Sequence, residues 1–259
     1  MRVDIVGSRQ KAVAIISLAR GESRSEAESY AKQLIEQYRH VKSVLLRASP
    51  RTGEYRLREY EVIAGDPDTE VIHIEHGYKL ALDPRRVYFS PREAHERQLV
   101  AEMVSSGEKV LVMFAGVGPM CIAIAKRRKV DVVVGVEISR VAWEYMVRNI
   151  RLNKLPNVRA VLGDVRFVCP FLKGVFDRVL MPLPLEGALY LDLAVDTLKE
   201  RGVISLYGLS GYSGEELVNK VSEEMEELNV EWGVIGKRRV ATYAPRVYKF
   251  RVDIEVKLK

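Results

Sequence analysis

The sequence predicts an α/β protein in which a mostly parallel sheet follows a small α+β unit. From residue 109 onward, short apolar runs alternate with helical patterns, which is typical of a parallel sheet covered by helices on both faces. Two long segments near the carboxyl terminus, 230–243 and 246–257, alternate between apolar and polar residues. They predict an antiparallel hairpin that closes the sheet.

The individual elements follow from the hydrophobic period. Up to residue 86 the pattern predicts strands at 12–18 and 41–47, a helix between them at 25–38, and an antiparallel pair formed by 55–64 and 70–75. Beyond it, five strands and a polar helix are predicted at 110–114, 132–137, 158–162, 178–181, 203–207 and 215–228. The change of period near residue 87 divides the chain into predicted domains at 1–86 and 87–259.

Composition limits the classes of protein that this chain can be. Of its 259 residues 47% are hydrophobic and 29% charged, which is enough to bury a sizeable core. Its apolar runs are shorter than the roughly 20 residues of a membrane span and no signal sequence opens it, so we expect a soluble, cytoplasmic monomer. Cys121, Cys169 and the four histidines lack ligand spacing, so no disulfide framework or metal site is expected. The net charge of +6 fits a polyanionic partner.

The turns after three successive predicted strands carry residues suited to a nucleoside. The first strand runs into FAGVGPM, where Gly116 and Gly118 precede a helix and let a ligand approach the backbone. The second ends in Glu137, whose carboxylate can accept hydrogen bonds from ribose hydroxyls. The third leads to Asp164, which faces an adenine amino group or simply caps the next helix. Together they predict a nucleoside cofactor at the switch point of the sheet.

The identity of the cofactor rests on two further features. Cys121 replaces the third glycine of the dinucleotide fingerprint, which argues against NAD. The closing hairpin is instead typical of S-adenosylmethionine methyltransferases. After the fourth strand, the prolines of MPLP at 181–184 cannot continue the ladder and turn the chain over the crevice. Four neighbouring residues complete the predicted cofactor site: Phe114, Ile138, Val165 and Pro182.

Several motifs in order resemble the archaeal and eukaryotic tRNA guanine-37 N1-methyltransferase family. They are VYFSPREAHER, MFAGVGP, RNIRLNK, GDVR and DRVLMPLP, and the similarity extends upstream through GEYRLREYEVIAG and HGYKLALD. The resemblance implies a Rossmann-like class I methyltransferase domain behind a small RNA-contacting domain. It also implies S-adenosylmethionine as cofactor, tRNA as partner, and methyl transfer to N1 of guanosine 37.

The chain departs from the family's pattern in three respects. Full-length members carry an additional N-terminal domain that checks the tRNA elbow, and this sequence begins at the second domain. Val112 and Pro182 stand where the family usually has Asp and Asn. A sister family transfers the aminocarboxypropyl group of the same cofactor in the wybutosine pathway; the short length favours this sister, whereas the motif details favour the methyltransferase. A non-catalytic tRNA-binding relative is the third alternative.

The motif VYFSPREAHER at 87–97 has a local and a catalytic interpretation. Locally, Ser90 predicts a helix N-cap with Pro91 in first position and Glu93 completing a capping box, and Arg92–Glu96 and Glu93–Arg97 have the spacing of surface ion pairs. Chemically, guanine N1 must lose a proton before it can attack, which requires a carboxylate within reach. A guanidinium can stabilise the charge that grows on O6.

The resemblance assigns roles to these residue types. Glu96 is the expected general base, Arg92 and Arg97 are expected to grip phosphates, and Tyr88 to stack on or frame the base. Further expected site residues are the charge-stabilising Arg58 or Arg56 and, in the loop that holds the base, Pro184. The basic run KRR at 237–239 either contacts tRNA phosphates or guards a sheet edge.

Overall fold

The structure is a computed structural model and describes residues 1–19, 21–47 and 59–259. Within these ranges the chain forms a four-stranded, a two-stranded and a seven-stranded β-sheet. No helix in this part of the chain is long and apolar enough to cross a membrane.

The four-stranded sheet and one helix form the amino-terminal unit. Its elements are β1 (Arg2–Gly7), β2 (Ala12–Ser17), α1 (Arg24–Gln37), β3 (Val41–Arg47) and β4 (Tyr60–Gly65). Helix α1 begins with a capping box in which Ser23 and Glu26 satisfy each other's backbone N–H groups. It buries Ala27, Ala31 and Leu34. The predicted strand–helix–strand order is confirmed, and β1 is an additional strand that pairs antiparallel with β2.

A separate hairpin, β5 (Val71–Glu75) and β6 (Tyr78–Leu82), follows this unit. The prediction that 55–64 pairs with 70–75 was wrong in the described region, because β4 pairs with β3 and β5 pairs with β6. His76 and Gly77 both have positive φ angles, 45° and 84°, as a tight two-residue hairpin turn requires. The turn therefore pairs β5 with β6, the next strand along the chain, and not with the earlier segment that the sequence pattern indicated.

The large sheet confirms the predicted mostly parallel order with a closing hairpin. The elements are α2 (Ala94–Met103), β7 (Lys109–Met113), α3 (Pro119–Arg127), β8 (Val132–Glu137), α4 (Arg140–Leu152), β9 (Val158–Leu162), α5 (Val165–Val168), β10 (Phe176–Met181), α6 (Leu191–Thr197), β11 (Leu198–Ser210), α7 (Glu215–Glu226), β12 (Val230–Ala244) and β13 (Val247–Leu258). The strand order is β12-β13-β11-β10-β7-β8-β9. Strands β7 to β11 run parallel, and β13 pairs antiparallel with both β11 and β12. Short 3₁₀ turns cover Pro91–Glu93, Cys169–Leu172 and Gly187–Tyr190.

Two apolar cores lie on the two faces of the large sheet. One core holds residues of α2, α3 and α4 and continues into the amino-terminal sheet through Val13 and Leu45. The other holds residues of α6 and α7 together with Phe250. Helix α4 is tied to the hairpin because the buried Asn149 side chain bonds the Ala81 backbone at 2.6 and 3.0 Å. Packing and hydrogen bonds thus cross the predicted division at residue 87.

The start of α2 differs from its prediction. Pro91–Glu93 forms a single 3₁₀ turn, and the Ser90 side chain makes no capping hydrogen bond. The predicted capping box is therefore wrong. The Glu93 carboxylate instead accepts a hydrogen bond from Lys249 Nζ at 2.9 Å, a charged partner that the distant β13 brings to this turn.

Candidate active site at the carboxyl ends of the parallel strands

A cavity of about 240 Å³ opens where the parallel strands end. The turns after β7, β8, β9 and β10 all contribute to its wall, as expected for a site at the switch point of the sheet. Every predicted cofactor residue except Gly118 lines it: Phe114, Gly116, Glu137, Ile138, Asp164, Val165 and Pro182. We call this cavity the crevice.

Glu137 is fixed by the backbone on both sides of the crevice. Its carboxylate accepts hydrogen bonds from Gly116 N at 2.7 Å and from Ser139 N at 2.8 Å. Burial raises the pKa of Glu137 above its usual range, and the two backbone donors partly oppose that effect. A buried acceptor held in this way suits a ligand that brings its own hydroxyl donors.

The glycines of the first turn have different reasons to be glycine. Gly116 has φ 58°, and a Cβ there would point into open space, so a side chain would extend into room that a ligand can use. Gly118 has φ 79° and is the N-cap of α3, and a Cβ there would lie 2.7 Å from Met146 Cγ. Gly118 therefore serves the packing of α3 on α4, and its predicted contact with the cofactor stays a prediction.

Asp164 takes the helix-capping role and also lies at the crevice wall, while its contact with an adenine amino group stays a prediction. Its side chain caps α5 by accepting from Arg166 N at 2.8 Å and also pairs with the Arg166 guanidinium. These bonds, led by the one from the guanidinium, lower the pKa of Asp164. The same side chain lines the crevice, so capping does not remove it from a ligand's reach.

Phe114 occupies an unusual backbone conformation at the crevice wall. Its φ is 56°, a region that a bulky residue rarely adopts and that is often found at functional sites. Its ring packs edge-on against Tyr190, with centroids 5.2 Å apart. Tyr190, Arg86 and Ser139 also line the crevice but were not predicted from the sequence. Ser139 follows Glu137 closely enough to have been inferred, whereas Arg86 and Tyr190 reach the wall only through the fold.

Glu96 lies in the first turn of α2 and is 5% exposed. It accepts hydrogen bonds from Tyr207 Oη at 2.9 Å, from Arg238 Nε at 3.2 Å and from Arg251. Burial, and next the Glu96 charge, raise the pKa of Tyr207 well above its usual range, so the phenol stays a donor. Glu96 is not one of the described residues that line the crevice. Side chains from β11, β12 and β13 therefore hold Glu96, the candidate general base, in a buried polar network.

The predicted surface pairs along α2 are wrong, since each side chain finds a tertiary partner. Arg92 pairs with Asp4 of β1 at 2.5 Å. Arg97 is 4% exposed and donates to both carboxylate oxygens of Glu75 and to the Ser90 carbonyl. Because the guanidinium is buried and held by Glu75 and the Ser90 carbonyl, a phosphate contact by Arg97 would require this ion pair to open, and the predicted contact stays a prediction.

The other predicted residues are divided among the crevice, its surroundings and the undescribed segment. Tyr88 lines the crevice, and its hydroxyl donates to Glu93 at 3.4 Å. Pro184 is buried and lies next to Leu183 and Leu185, which line the crevice. Arg56 and Arg58 lie outside the described residues. No three His, Cys, Asp or Glu side chains come together as a metal site in residues 1–19, 21–47 and 59–259.

Known proteins are similar in sequence to this chain over most of its length. A family described as the TRM5/TYW2 methyltransferase domain matches residues 71–234. The chain is 38% identical over 256 residues to the tRNA (guanine(37)-N(1))-methyltransferase Trm5b of Pyrococcus abyssi, covering 98% of this chain and 74% of that protein. It is 34% identical over 224 residues to the tRNA(Phe) (4-demethylwyosine(37)-C(7)) aminocarboxypropyltransferase of Methanocaldococcus jannaschii, covering 82% of this chain and 85% of that protein.

Solved structures of both kinds of protein are also similar to this chain. The structure of aTrm5 in complex with tRNALeu has a TM-score of 0.84 at 32% identity and covers 100% of this chain and 72% of that chain. The structure of Methanocaldococcus jannaschii TYW2 in complex with AdoMet has a TM-score of 0.77 at 26% identity and covers 100% of both chains.

Proposed function

The chain belongs to the TRM5/TYW2 methyltransferase family, and on that premise we propose that it transfers a methyl group from S-adenosylmethionine to N1 of guanosine 37 in tRNA. The observation that carries the proposal is the Tyr88–Glu93 hydrogen bond, which joins the wall of the crevice to the segment that carries Glu96. Tyr88 lines the crevice and bonds Glu93, which lies one helical turn before Glu96. A cofactor site and a candidate proton acceptor are thus linked through one short segment.

The crevice fits S-adenosylmethionine by the chemistry of its donor and acceptor groups. Bound there, the cofactor supplies a methyl group activated by the adjacent sulfonium. Glu137 would accept hydrogen bonds from the ribose hydroxyls and Asp164 from the adenine amino group. The open space beside Gly116 leaves room for the chain that joins ribose to sulfur.

Glu96 would remove the proton from guanine N1 as that nitrogen attacks the methyl carbon. The N1–C bond forms, the S–C bond breaks, the proton passes to the carboxylate and S-adenosylhomocysteine leaves. Tyr207 and Arg251 hold Glu96 from the buried side. Arg238, whose side chain is 44% exposed, is the partner of Glu96 that can move aside most readily when guanine 37 arrives.

Aminocarboxypropyl transfer to a tricyclic derivative of guanosine 37 is the second candidate function. It is favoured by the large share, 85%, of the aminocarboxypropyltransferase relative that the chain covers. The two reactions use the same cofactor and the same tRNA position. They differ in which carbon on the sulfonium faces the nucleophile.

Mass spectrometry of tRNA nucleosides distinguishes these functions. The protein is incubated with S-adenosylmethionine and either an unmodified tRNA transcript or a tRNA that carries 4-demethylwyosine. We expect 1-methylguanosine from the transcript and no product from a matched transcript with adenosine at position 37. Gain of an aminocarboxypropyl group on the modified tRNA alone would replace the first function by the second. No product on either tRNA would contradict both and leave a non-catalytic tRNA-binding relative.

A further inference from the structure

Two tyrosines and an arginine form an exposed cluster at the end of the closing hairpin. The guanidinium carbon of Arg239 lies 3.5 Å from the ring centroid of Tyr248 and 5.6 Å from that of Tyr212. The two tyrosine centroids are 6.0 Å apart, with their planes at 81°. The Tyr212 side chain is 79% exposed. We call these three residues the aromatic platform.

In the part of the chain that the structure describes, Arg239 differs from its two basic neighbours in having no acidic partner. Lys237 pairs with Glu215, and Arg238 pairs with Glu96. Among the described residues, Arg239 makes no ion pair, and its guanidinium contacts the two tyrosine rings. Its charge is therefore available to an anionic partner, and its planar group is already oriented by Tyr248.

The aromatic platform lies at the same edge of the sheet as the crevice. Strand β11 runs parallel to β10 and ends at Ser210, which is paired with Tyr248. The loop after β10 begins at this edge and folds back until Gly187 lies against the end of β11, close to the Tyr207 carbonyl. The aromatic platform and the loop after β10 thus both lie at the carboxyl end of β11.

The edge strand β12 connects the platform to the candidate base. Arg238 is paired with Arg251 in the ladder, and both side chains reach Glu96. Arg239 is the next residue and points to the opposite face of the sheet, where it is paired with Phe250. An RNA strand that passed over this edge would meet Arg238 beside the candidate general base Glu96 and Arg239 on the aromatic platform.

We propose that the aromatic platform binds a nucleotide adjacent to guanosine 37 in the anticodon loop, a proposal that rests on the function proposed above. Unpaired RNA bases stack on exposed aromatic rings and on arginine planes, while arginine also pairs with phosphate. Tyr212 offers the open ring face and Arg239 offers the charge. Holding a neighbouring base here would keep the loop unstacked while guanosine 37 enters the crevice.

The first test measures the affinity of the full chain for an anticodon stem-loop RNA with guanosine at position 37. Tyr212→Ala should raise Kd by about 5- to 100-fold, the range for loss of one base–aromatic stack, and Tyr212→Phe should bind normally. Tyr243→Ala is the matched control, since Tyr243 is an exposed tyrosine of the same hairpin. Equal losses for Tyr212→Ala and Tyr243→Ala, or no loss in either, would overturn the platform.

The second test identifies the nucleotide by removing bases from the RNA one at a time. At one loop position next to guanosine 37, an abasic site should weaken binding to the native protein but cause no further loss in Tyr212→Ala. Additive losses at every position would mean that Tyr212 touches no base, as would be the case if the platform only guarded the sheet edge or bound a protein.

Failure of the platform and failure of the proposed function give different results. If the native protein forms 1-methylguanosine while Tyr212→Ala and Arg239→Ala bind and methylate the stem-loop normally, the platform alone is wrong. If the native protein neither binds the stem-loop nor modifies tRNA, both proposals are overturned. Tyr212 is exposed, so Tyr212→Ala should leave the thermal midpoint and S-adenosylmethionine affinity unchanged.

Discussion

Arg97 and Glu75 form a two-pronged ion pair in the interior, with Arg97 Nε 2.7 Å from Oε1 and Nη2 2.6 Å from Oε2 of Glu75. Each side chain is only 5% exposed. The pair joins the start of α2 to strand β5 and so fixes the helix that carries Glu96. It assigns Arg97 to the scaffold of the site.

Replacing Arg97 by alanine should destabilise the protein by about 3–5 kcal/mol, because a buried carboxylate would lose its charged partner. The Arg92→Ala variant is the matched control, since Arg92 forms a more exposed pair with Asp4 and should cost about 1 kcal/mol or less. Urea unfolding measures both. Similar costs for the two variants would contradict a structural role that is special to Arg97.

The same pair predicts loss of stability in acid. Burial alone would raise the pKa of Glu75, but hydrogen bonds from Arg97 and His73 lower it to about 2. Since an unfolded glutamate titrates near 4.3, the pair contributes fully above about pH 4.3 and its contribution is lost as pH falls toward 2. Urea midpoints at pH 5 and pH 3 measure this loss. A Glu75→Gln variant with the same decline as the native protein would show that other groups cause it.

Replacing Glu137 by alanine should weaken S-adenosylmethionine binding by about 1.5–3 kcal/mol, the range for a hydrogen bond to a charged group. The reason is the loss of the acceptor that Gly116 and Ser139 hold in the crevice. Calorimetry decides the outcome, with Glu144→Ala as a surface control on α4. If the variant bound S-adenosylmethionine with unchanged affinity, or the native protein bound NAD more tightly, the assignment of Glu137 to an S-adenosylmethionine site would be wrong.

Cofactor affinity should also depend on pH through Glu137. Because burial raises its pKa, the carboxyl takes up a proton as pH falls, beginning at a pH above the ordinary value of about 4.3. The protonated form accepts ribose hydrogen bonds less well, so affinity should fall as pH is lowered. The Glu137→Gln variant should lose this dependence. A variant that keeps the native pH profile would assign the dependence to another group.

Glu96→Gln should reduce methyl transfer by about 10²–10⁴-fold, the range for a positioned general base. Single-turnover methylation at saturating tRNA and cofactor reports a step at or before chemistry. Raising the pH should restore part of the rate, because guanine N1 then deprotonates without help. Glu102→Gln is the matched control: it removes a carboxylate from the same helix, one paired with Arg127 at the surface, and should retain the native rate.

Two further results interpret the Glu96 experiment. Cofactor affinity and the urea midpoint of Glu96→Gln show whether the substitution leaves the buried network intact. The amide oxygen should still accept from Tyr207, and the NH2 group should not displace Arg251. With both near native, a rate within threefold of the native enzyme would place the base elsewhere. Glu96 would then be a structural member of its buried network.

The sequence by itself determined the positions of several strands and part of the crevice wall. Strands β3, β8 and β9 begin and end where the pattern predicts, because hydrophobic period is a local property of the chain. Glu137 and Asp164 could be predicted as residues of one nucleoside site since each lies at the carboxyl end of a strand of a parallel sheet, and such strand ends meet at one edge. No tertiary contact had to be known for either inference.

Only the tertiary structure decided the partners of the charged residues in VYFSPREAHER. Local spacing predicted pairs within the helix, but a surface pair at that spacing contributes only about 0.2–0.5 kcal/mol and is easily outcompeted. Glu93, Glu96 and Arg97 bond instead to Lys249, Arg251 and Glu75, which lie 156, 155 and 22 residues away. The aromatic platform has the same origin, because Tyr212, Arg239 and Tyr248 come together only when β11, β12 and β13 pair. Neither periodicity nor motif order encodes such contacts, since they depend on where separate elements pack.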